Sequence, residues 1–283
     1  MLNEEANIVK LLSSIAAQDD TNYSINQILV VSDGSSDNSA EAVKSLHMPK
    51  VSVIEHQTRQ GKSVRMIEIL EAAKSNIVVL LDADIQLGSK QTLWHLIKPI
   101  VLGQVTLTSG RPIKVSTGTF VDKVMDVSFF MQDQVKQVLN AGNSLYACHG
   151  RITAMHRNLF SKLALPGIAV GNDAYLYIYN DRTGYNFQFA ADAPVLFKMP
   201  QTLRDYIKQE RRFASTPAEQ NIFFGEDVSK YYKIPLLVKL QVLAKSIRFH
   251  IYLACYIIFR VAALFIPKYT SSTWDMSEST KVL

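Results

Sequence analysis

Two periods of hydrophobic residues alternate along the first 110 positions of the chain. In residues 4–17 the apolar positions recur three and four apart, which predicts a helix with one buried face, and residues 39–46 and 63–74 continue in the same way. Short apolar runs, typical of buried strands, lie at residues 27–31, 51–54 and 77–81. Strands that alternate with helices predict an α/β fold.

The pattern continues beyond this region with longer elements. A helix is predicted over residues 91–100, a strand over 105–108 and a long helix over 119–140, with proline and glycine falling mostly between them. We therefore expect a mostly parallel sheet flanked by helices. This domain spans residues 1–233, and its two halves are residues 1–115 and 116–233.

The pattern changes at residues 234–270, which are predominantly apolar. Residues 236–249 place Gln241, Lys245 and Arg248 within about 60° of one another at helical pitch. Residues 251–266 are interrupted only by Arg260 and span roughly 24 Å as a helix, less than the ~30 Å hydrocarbon core of a bilayer. Three interpretations stay open: a pair of helices at a membrane interface, a single marginal transmembrane helix, or a buried helical hairpin. Residues 271–283 form a tail.

Composition narrows the classes of protein that fit. Of 283 residues, 48% are hydrophobic and 19% are charged, which fits a globular domain with an added lipid-facing portion. The net charge of +5 suits phosphate-bearing substrates or anionic lipid, but the chain has no basic run that would indicate nucleic-acid binding. Cys148 and Cys255 lie in dissimilar settings, so a reducing compartment is expected rather than a disulfide framework.

An acidic triplet, Asp82-Ala83-Asp84, directly follows the most apolar predicted strand. Two carboxylates two residues apart project to the same side at the end of a strand, where open α/β sheets bind ligands. Hard oxygen ligands of this kind suit Mg²⁺ or Mn²⁺ held jointly with a diphosphate. A triplet of this composition also occurs by chance in loops that follow strands.

Two further segments have features of a nucleotide site. Asp33 also follows a buried strand and precedes Gly34, where a ligand can approach the backbone closely, and its carboxylate can accept hydrogen bonds from a base. The alternative is a turn that caps the next helix through Asp37 or Asn38. Lys62 precedes a predicted helix in the way that a phosphate-binding helix begins.

In order and spacing, these segments resemble the donor-binding half of family 2 glycosyltransferases with a GT-A fold, and the segment Gln209–Phe213 resembles the Gln-x-x-Arg-Trp motif of their membrane-associated branch. The resemblance is carried by Asn3-Glu4-Glu5, residues 28–39, Gln60-Gly61-Lys62-Ser63 and residues 77–84. Weaker similarities follow at Cys148-His149-Gly150 with Ala154-Met155-His156-Arg157, at residues 172–176, and at Gln209-Glu210-Arg211-Arg212-Phe213.

The resemblance implies a role for each matching residue. Asn3, Glu4, Asp33 and Lys62 would bind the donor, and Asp82 and Asp84 would bind its diphosphate through Mg²⁺ or Mn²⁺. Asp173 would be the catalytic base, unless it only caps a helix. Gly150, Gln209, Arg212 and Phe213 would contact the acceptor or the diphosphate, although Gln209 and Arg212 also fit a solvated helix face.

The sequence departs from the family pattern at several positions. Relatives often have a second acidic residue at the position of Ser32. They usually have Glu at the position of Asn172 and Trp at that of Phe213. Relatives also have a strand immediately before the Asn-Glu-Glu segment, so we expect the first, interior strand of the sheet to be missing. Adding about ten upstream residues should then raise solubility and melting temperature, and equal stability would contradict this expectation.

The resulting expectation is an inverting glycosyltransferase at the cytoplasmic face of a membrane. It would transfer a sugar from a nucleotide-diphospho-sugar to a lipid-linked or glycan acceptor in cell-surface polysaccharide synthesis, with membrane lipid as a further partner and no nucleic acid. The alternative is a non-catalytic nucleotide-sugar-binding or scaffold subunit. A dehydrogenase is disfavoured because the chain lacks the glycine fingerprint of dinucleotide-binding proteins.

Overall fold

The computed structural model describes residues 1–168 and 171–264. The helices and strands predicted up to residue 101, and the long helix predicted over 119–140, begin and end close to the predicted positions, whereas the strand predicted over 105–108 extends to residue 114. The first half contains α1 (Glu5–Ala16), β1 (Ile28–Asp33), α2 (Ser39–Ser45), β2 (Val51–His56), α3 (Lys62–Ala72), β3 (Ile77–Leu81), β4 (Ile85–Leu87), α4 (Thr92–Val101) and β5 (Leu107–Lys114). The second half contains α5 (Phe120–Val138), β6 (Ile152–His156), α6 (Arg157–Phe160), α7 (Asn172–Arg182), β7 (Phe187–Phe197), α8 (Leu203–Phe224), α9 (Leu236–Ser246) and α10 (Ile251–Leu264).

The strands form two sheets. β1 and β2 pair in parallel, with Ile28 opposite Val51. The second sheet has the order β3-β6-β5-β7-β4, in which only β5 and β7 are parallel. The expected α/β fold is confirmed, but the second sheet is mixed rather than mostly parallel. Hydrophobic runs report the burial of a strand and not its direction, and antiparallel partners require no helical crossover.

A gap separates β1 from β3, and in the described part of the chain no strand occupies it. The amino group of Met1 donates to the carbonyl oxygen of Val31, and the carbonyl oxygen of Met1 accepts a hydrogen bond of 2.9 Å from the amide of Asp33. Both strands line one cavity of about 1310 Å³ that continues towards the carboxyl ends of the strands. The expectation of a missing interior strand stays a prediction.

Two hydrophobic clusters hold the helices against the strands. In the first, Ile8 and Leu12 of α1 and Leu96 of α4 pack with Met125 of α5. In the second, Met66 of α3 packs with residues of α7, including Leu176 and Ile178. Because α3 and α7 share this cluster, their first turns are fixed relative to each other.

The C-terminal helices both pack on α5. Val242 of α9 contacts a cluster with Val135 and Leu139, and the rings of Phe120 and Tyr252 are 6.0 Å apart. The outward residues stay exposed, with Leu236 at 69% and Ile251 at 73%, so a buried hairpin does not describe these helices. Within residues 1–168 and 171–264, every helix is too short or too polar to cross a membrane. The tail at 271–283 and residues 265–270 lie outside the described residues.

Candidate active site

The acidic triplet connects β3 to β4 at the end of the cavity. The amide of Asp82 donates to the carbonyl oxygen of Arg151 at 3.0 Å, which extends the β3–β6 ladder by one residue. β4 begins directly after Asp84, and its first residue, Ile85, is fully buried. The carboxylate of Asp82 forms an ion pair with the ammonium of Lys62. The triplet is therefore held between a buried strand on each side and a cation from α3.

Asp84 lies in a setting that opposes its ionisation. Burial is the main cause, and the neighbouring negative charges of Asp82 and Glu4 add to it; together they raise the pKa of Asp84 to about 6, against the opposing charges of Arg151 and Lys62. A half-buried carboxylate that is destabilised in this way gains from a bound cation. The two aspartates are hard oxygen ligands of the kind that Mg²⁺ and Mn²⁺ prefer.

The chain offers only part of a metal coordination sphere. Among the residues that the structure describes, no group of three or more His, Cys, Asp or Glu side chains is arranged to hold a metal ion. Asp82 and Asp84 fit a divalent cation that takes its remaining ligands from water and from the oxygens of a diphosphate, as Mg²⁺ commonly does. The donor set thus suits a metal that arrives together with its substrate.

Asp33 ends β1 and is buried, with 5% of its surface exposed. Its carboxylate accepts hydrogen bonds from the amides of Gln60 and Gly61, both at 2.8 Å, and from Nε of Arg65 at 2.7 Å. Burial opposes ionisation, but these bonds outweigh it and lower the pKa of Asp33. The alternative turn is made by Asp37, which accepts from the amide of Ser39 at 3.1 Å, while Asn38 precedes α2 without a side-chain capping bond. Asp33 lines the cavity and also fixes the loop before α3.

Asn3 and Glu4 shape the turn that follows Asp33. The side-chain oxygen of Asn3 accepts from the amide of Ser36 at 2.7 Å, and the amide of Glu4 donates to the hydroxyl of Ser39 at 2.7 Å. Among these two, only Glu4 lines the cavity. The structure therefore places Glu4 next to the acidic triplet and Asn3 behind the turn.

Asp173 is the second residue of α7, and Gly171 precedes the helix as its cap. Its Oδ1 accepts from the amide of Ala174 at 3.0 Å and its Oδ2 from the amide of Gly150 at 3.3 Å. A carboxylate has about four acceptor positions, so these two bonds leave capacity for a substrate hydroxyl. Asp173 is therefore not the N-cap residue of α7, although its bond from Ala174 satisfies one amide of the first helical turn.

Gly150 lies close to both the ammonium group of Lys62 and the side chain of Asp173. A Cβ atom at this position would be 3.3 Å from Nζ of Lys62 and 3.9 Å from Cβ of Asp173. Lys62 in turn contacts Asp82. The structure therefore brings Asp82, Lys62, Gly150 and Asp173 together, although they come from four separate segments of the sequence.

The helix α8 borders the same cavity. Gln209 and Arg212 are half-buried, Phe213 is 47% exposed, and all three line the cavity with Asp82, Asp84 and Asp173. A fully solvated helix face, the alternative for Gln209 and Arg212, is thus wrong.

The structure adds three residues to the site that the sequence analysis did not predict. Arg151 follows Gly150, stacks over the ring of Phe197 at 3.8 Å and faces the charges of Asp84, Asp82 and Asp173. Arg65 binds Asp33 from one turn after Lys62 on α3. His149 binds the carbonyl oxygen of Gly110 through Nε2 at 2.6 Å; burial, with the charges of neighbouring cations, lowers its pKa to about 3, so the ring is neutral. Proximity to predicted site residues was the only signal for them.

A contact between α7 and α8 predicts the effect of one small substitution. A Cβ atom at Gly171 would lie 2.3 Å from Cγ2 of Thr216, so Gly171→Ala must either rotate the Thr216 side chain, which breaks its bond to the Arg212 carbonyl oxygen, or shift α8 away from α7. We expect a loss of about 1–3 kcal/mol in the free energy of unfolding, measured by urea denaturation, together with slower turnover.

The paired variant Gly171→Ala/Thr216→Ser lacks the clashing methyl group and keeps a hydroxyl at position 216. It should recover most of the lost stability, whereas Thr216→Ser alone serves as the control. If the single and double variants are equally unstable, the close packing of Gly171 against Thr216 is not the cause.

Comparisons with known proteins agree with this geometry. The family model described as "Glycosyl transferase family 2" matches residues 1–164. An N-acetylglucosaminyltransferase from Bradyrhizobium diazoefficiens is 24% identical over 229 residues, which are 75% of this chain and 46% of that protein. The chain thus spans about half the length of this relative.

Solved structures with the same fold are also similar to this chain. A mannosyltransferase from Pyrobaculum calidifontis, in complex with GDP-Man and Mn²⁺, has a TM-score of 0.61 and 19% identity, with 95% of this chain and 74% of that chain covered. Glucosyl-3-phosphoglycerate synthase from Mycobacterium tuberculosis, with Mn²⁺, UDP-glucose and phosphoglyceric acid, has a TM-score of 0.57 and 20% identity, with 81% and 79% covered.

Proposed function

Because the chain belongs to glycosyl transferase family 2, we propose that it transfers a sugar, with inversion, from a nucleotide-diphospho-sugar to a lipid-linked or glycan acceptor. We place this reaction in cell-surface polysaccharide synthesis, at the cytoplasmic face of a membrane. The proposal is carried by one observation: the acidic triplet, Lys62, Gly150 and Asp173 meet in one cavity.

The donor would lie along the carboxyl ends of β1 and β3. Asp33 would face the nucleotide from the end of β1, and Lys62 at the start of α3 would lie near the diphosphate. In the structure Lys62 pairs with Asp82, and a diphosphate is a stronger partner for an ammonium group than a single carboxylate. Arg151 supplies a second cation close to both aspartates.

Asp82 and Asp84 would hold Mg²⁺ or Mn²⁺ against the diphosphate. A bound divalent metal would neutralise the negative charge that develops on the leaving diphosphate. The solved structures from Pyrobaculum calidifontis and Mycobacterium tuberculosis contain Mn²⁺ with GDP-Man and UDP-glucose, which supports a divalent metal for this chain as well.

Asp173 would act as the base. As the acceptor oxygen bonds to the anomeric carbon, its proton passes to the Asp173 carboxylate, and the bond from that carbon to the diphosphate oxygen breaks on the opposite side. The hydrogen bonds from Gly150 and Ala174 hold this carboxylate in place without filling its acceptor positions. Because residue 150 is a glycine, the substrate can approach the backbone between Lys62 and Asp173.

Gln209, Arg212 and Phe213 would contact the acceptor or the diphosphate from α8. Arg212 can donate two parallel hydrogen bonds to a phosphate, and Phe213 offers an exposed ring to a sugar face. This arrangement supports an acceptor that enters between α8 and the acidic triplet.

The test is a donor screen, carried out with the purified chain and with the membrane fraction of cells that produce it. UDP- and GDP-sugars are supplied with Mn²⁺, and released nucleotide diphosphate is measured with and without EDTA. We expect release from one donor, lost on chelation. Nucleotide binding without any release or transfer would favour the non-catalytic sugar-nucleotide-binding subunit, and an absence of nucleotide binding would overturn both.

A further inference from the structure

Two helices at the C-terminal end of the described chain, together with the short link between them, leave a row of apolar residues uncovered. Nine residues between 42% and 73% exposed form this row, and we call them the outer face: Leu236, Leu237, Leu240, Leu243, Ile247, Ile251, Ile257, Ile258 and Val261. We propose that the outer face docks on the surface of an anionic lipid bilayer, with α9 and α10 lying in the plane of the interface. Lipid docking would explain how the chain reaches the membrane that the proposed function requires, and only its role in sugar transfer rests on that function.

Each helix uses its other side to pack on the protein. Val238, Val242 and Ser246 recur every four residues of α9 and face α5, and Val242 and Ser246 are almost fully buried. In α10 the ring of Phe259 lies 6.3 Å from that of Tyr206 in α8. Because the inner sides are occupied, lipid can reach only the outer sides, which is the arrangement of interfacial helices.

The charge of this region selects the class of lipid. Residues 228–274 contain no Asp or Glu, whereas the described part of this segment carries six cations: Lys230, Lys233, Lys239, Lys245, Arg248 and Arg260. Lys and Arg extend their charged ends past apolar surface into the headgroup region and are attracted by anionic lipid. An apolar face on a segment that contributes cations and no carboxylates fits phosphatidylglycerol or a similar anionic headgroup better than a neutral one.

The geometry also connects the outer face with the catalytic cavity. Arg260 of α10 forms an ion pair with Glu210 of α8, and both residues line the cavity. Docking of α10 would thus set α8 at the membrane surface, where an acceptor anchored in the same bilayer can enter the cavity.

Vesicle flotation tests the proposal without donor or acceptor. The full-length chain is mixed with vesicles of phosphatidylcholine alone or of phosphatidylcholine with phosphatidylglycerol. We expect the chain to float with the anionic vesicles and to be released by salt. Leu240→Gln/Ile258→Gln should weaken this binding by about tenfold, because it removes two apolar residues from the centre of the outer face.

Matched controls separate lipid docking from general stickiness. Leu102→Gln/Ile168→Gln makes the same change at residues that are 58% and 63% exposed elsewhere, and it should bind vesicles like the wild type. Lys239→Gln/Lys245→Gln should lose the preference for anionic vesicles. Circular dichroism checks that each variant is folded.

The proposal is overturned if the wild type does not float, or if Leu240→Gln/Ile258→Gln floats as well as the wild type. It is also overturned if light scattering shows that this variant has a lower oligomeric state than the wild type, because the outer face would then be covered by a second copy of the chain. Since flotation contains no sugar nucleotide, its failure is distinct from failure of the donor screen.

Discussion

Replacement of Asp173 by Asn is expected to slow sugar transfer by about 10³-fold while nucleotide binding in the presence of Mn²⁺ stays unchanged. Asparagine keeps the shape of the side chain, but its single oxygen can accept only one of the two hydrogen bonds that Gly150 and Ala174 donate to separate oxygens of Asp173. It cannot take the proton of the acceptor hydroxyl. The rate of nucleotide diphosphate release with saturating acceptor measures this effect, and a fluorescent nucleotide titration measures binding.

The matched control makes the same change on the same helix. Asp181 lies at the far end of α7, where its carboxylate accepts a hydrogen bond from the hydroxyl of Tyr231 at 2.6 Å. Asp181→Asn should leave transfer within about twofold of the wild type, because the amide oxygen can still accept that bond. Asp173 is not the base if its variant transfers sugar as fast as this control.

Replacement of Asp84 by Asn is expected to reduce transfer by at least about 100-fold, for a different reason. The amide is a much weaker ligand for a divalent metal than a carboxylate, so the diphosphate loses part of its counter-charge and its fixed position. Nucleotide diphosphate binding should therefore weaken in the presence of Mn²⁺. Isothermal titration with UDP or GDP, whichever the donor screen identifies, measures the loss.

Asp192→Asn is the control for the metal position, because Asp192 is an exposed carboxylate on β7 that does not line the cavity. It should keep both binding and transfer. The pair of site variants is also diagnostic: Asp173→Asn loses rate and keeps binding, whereas Asp84→Asn loses both. Unchanged Mn²⁺-dependent binding in Asp84→Asn would contradict the assignment of this residue to the metal.

Local features of the site could be predicted from the sequence because strand ends and helix starts carry local signals. The apolar run before Asp82 identified the buried strand, and the residues around Gly61 identified the start of a helix at Lys62. The direction of strand pairing could not be predicted. β4 follows β3 after only three residues yet pairs with β7, a partner about 110 residues away, and hydrophobic periodicity carries no information about such a choice.

The missed residues illustrate the same limit. Arg151 acts on Asp84 because the register of β6 on β3 brings it there, and the bond from the Asp82 amide to the Arg151 carbonyl oxygen fixes that register. Nothing near position 151 in the sequence indicates which carboxylates it faces. Arg65 likewise gains its role only when the loop before α3 folds back over the end of β1.

Periodicity and local motifs are short-range properties, so the sequence was enough to predict most elements of the first half, the long helix α5, the family resemblance and the types of residue that the chemistry needs. Only the tertiary structure decided that Lys62, Gly150 and Asp173 meet at the acidic triplet, since this depends on the packing of α3 and α7 in one hydrophobic cluster. It also decided which side of α9 and α10 stays uncovered. An apolar residue looks the same in sequence whether it faces a core or a bilayer, and packing on α5 makes the distinction.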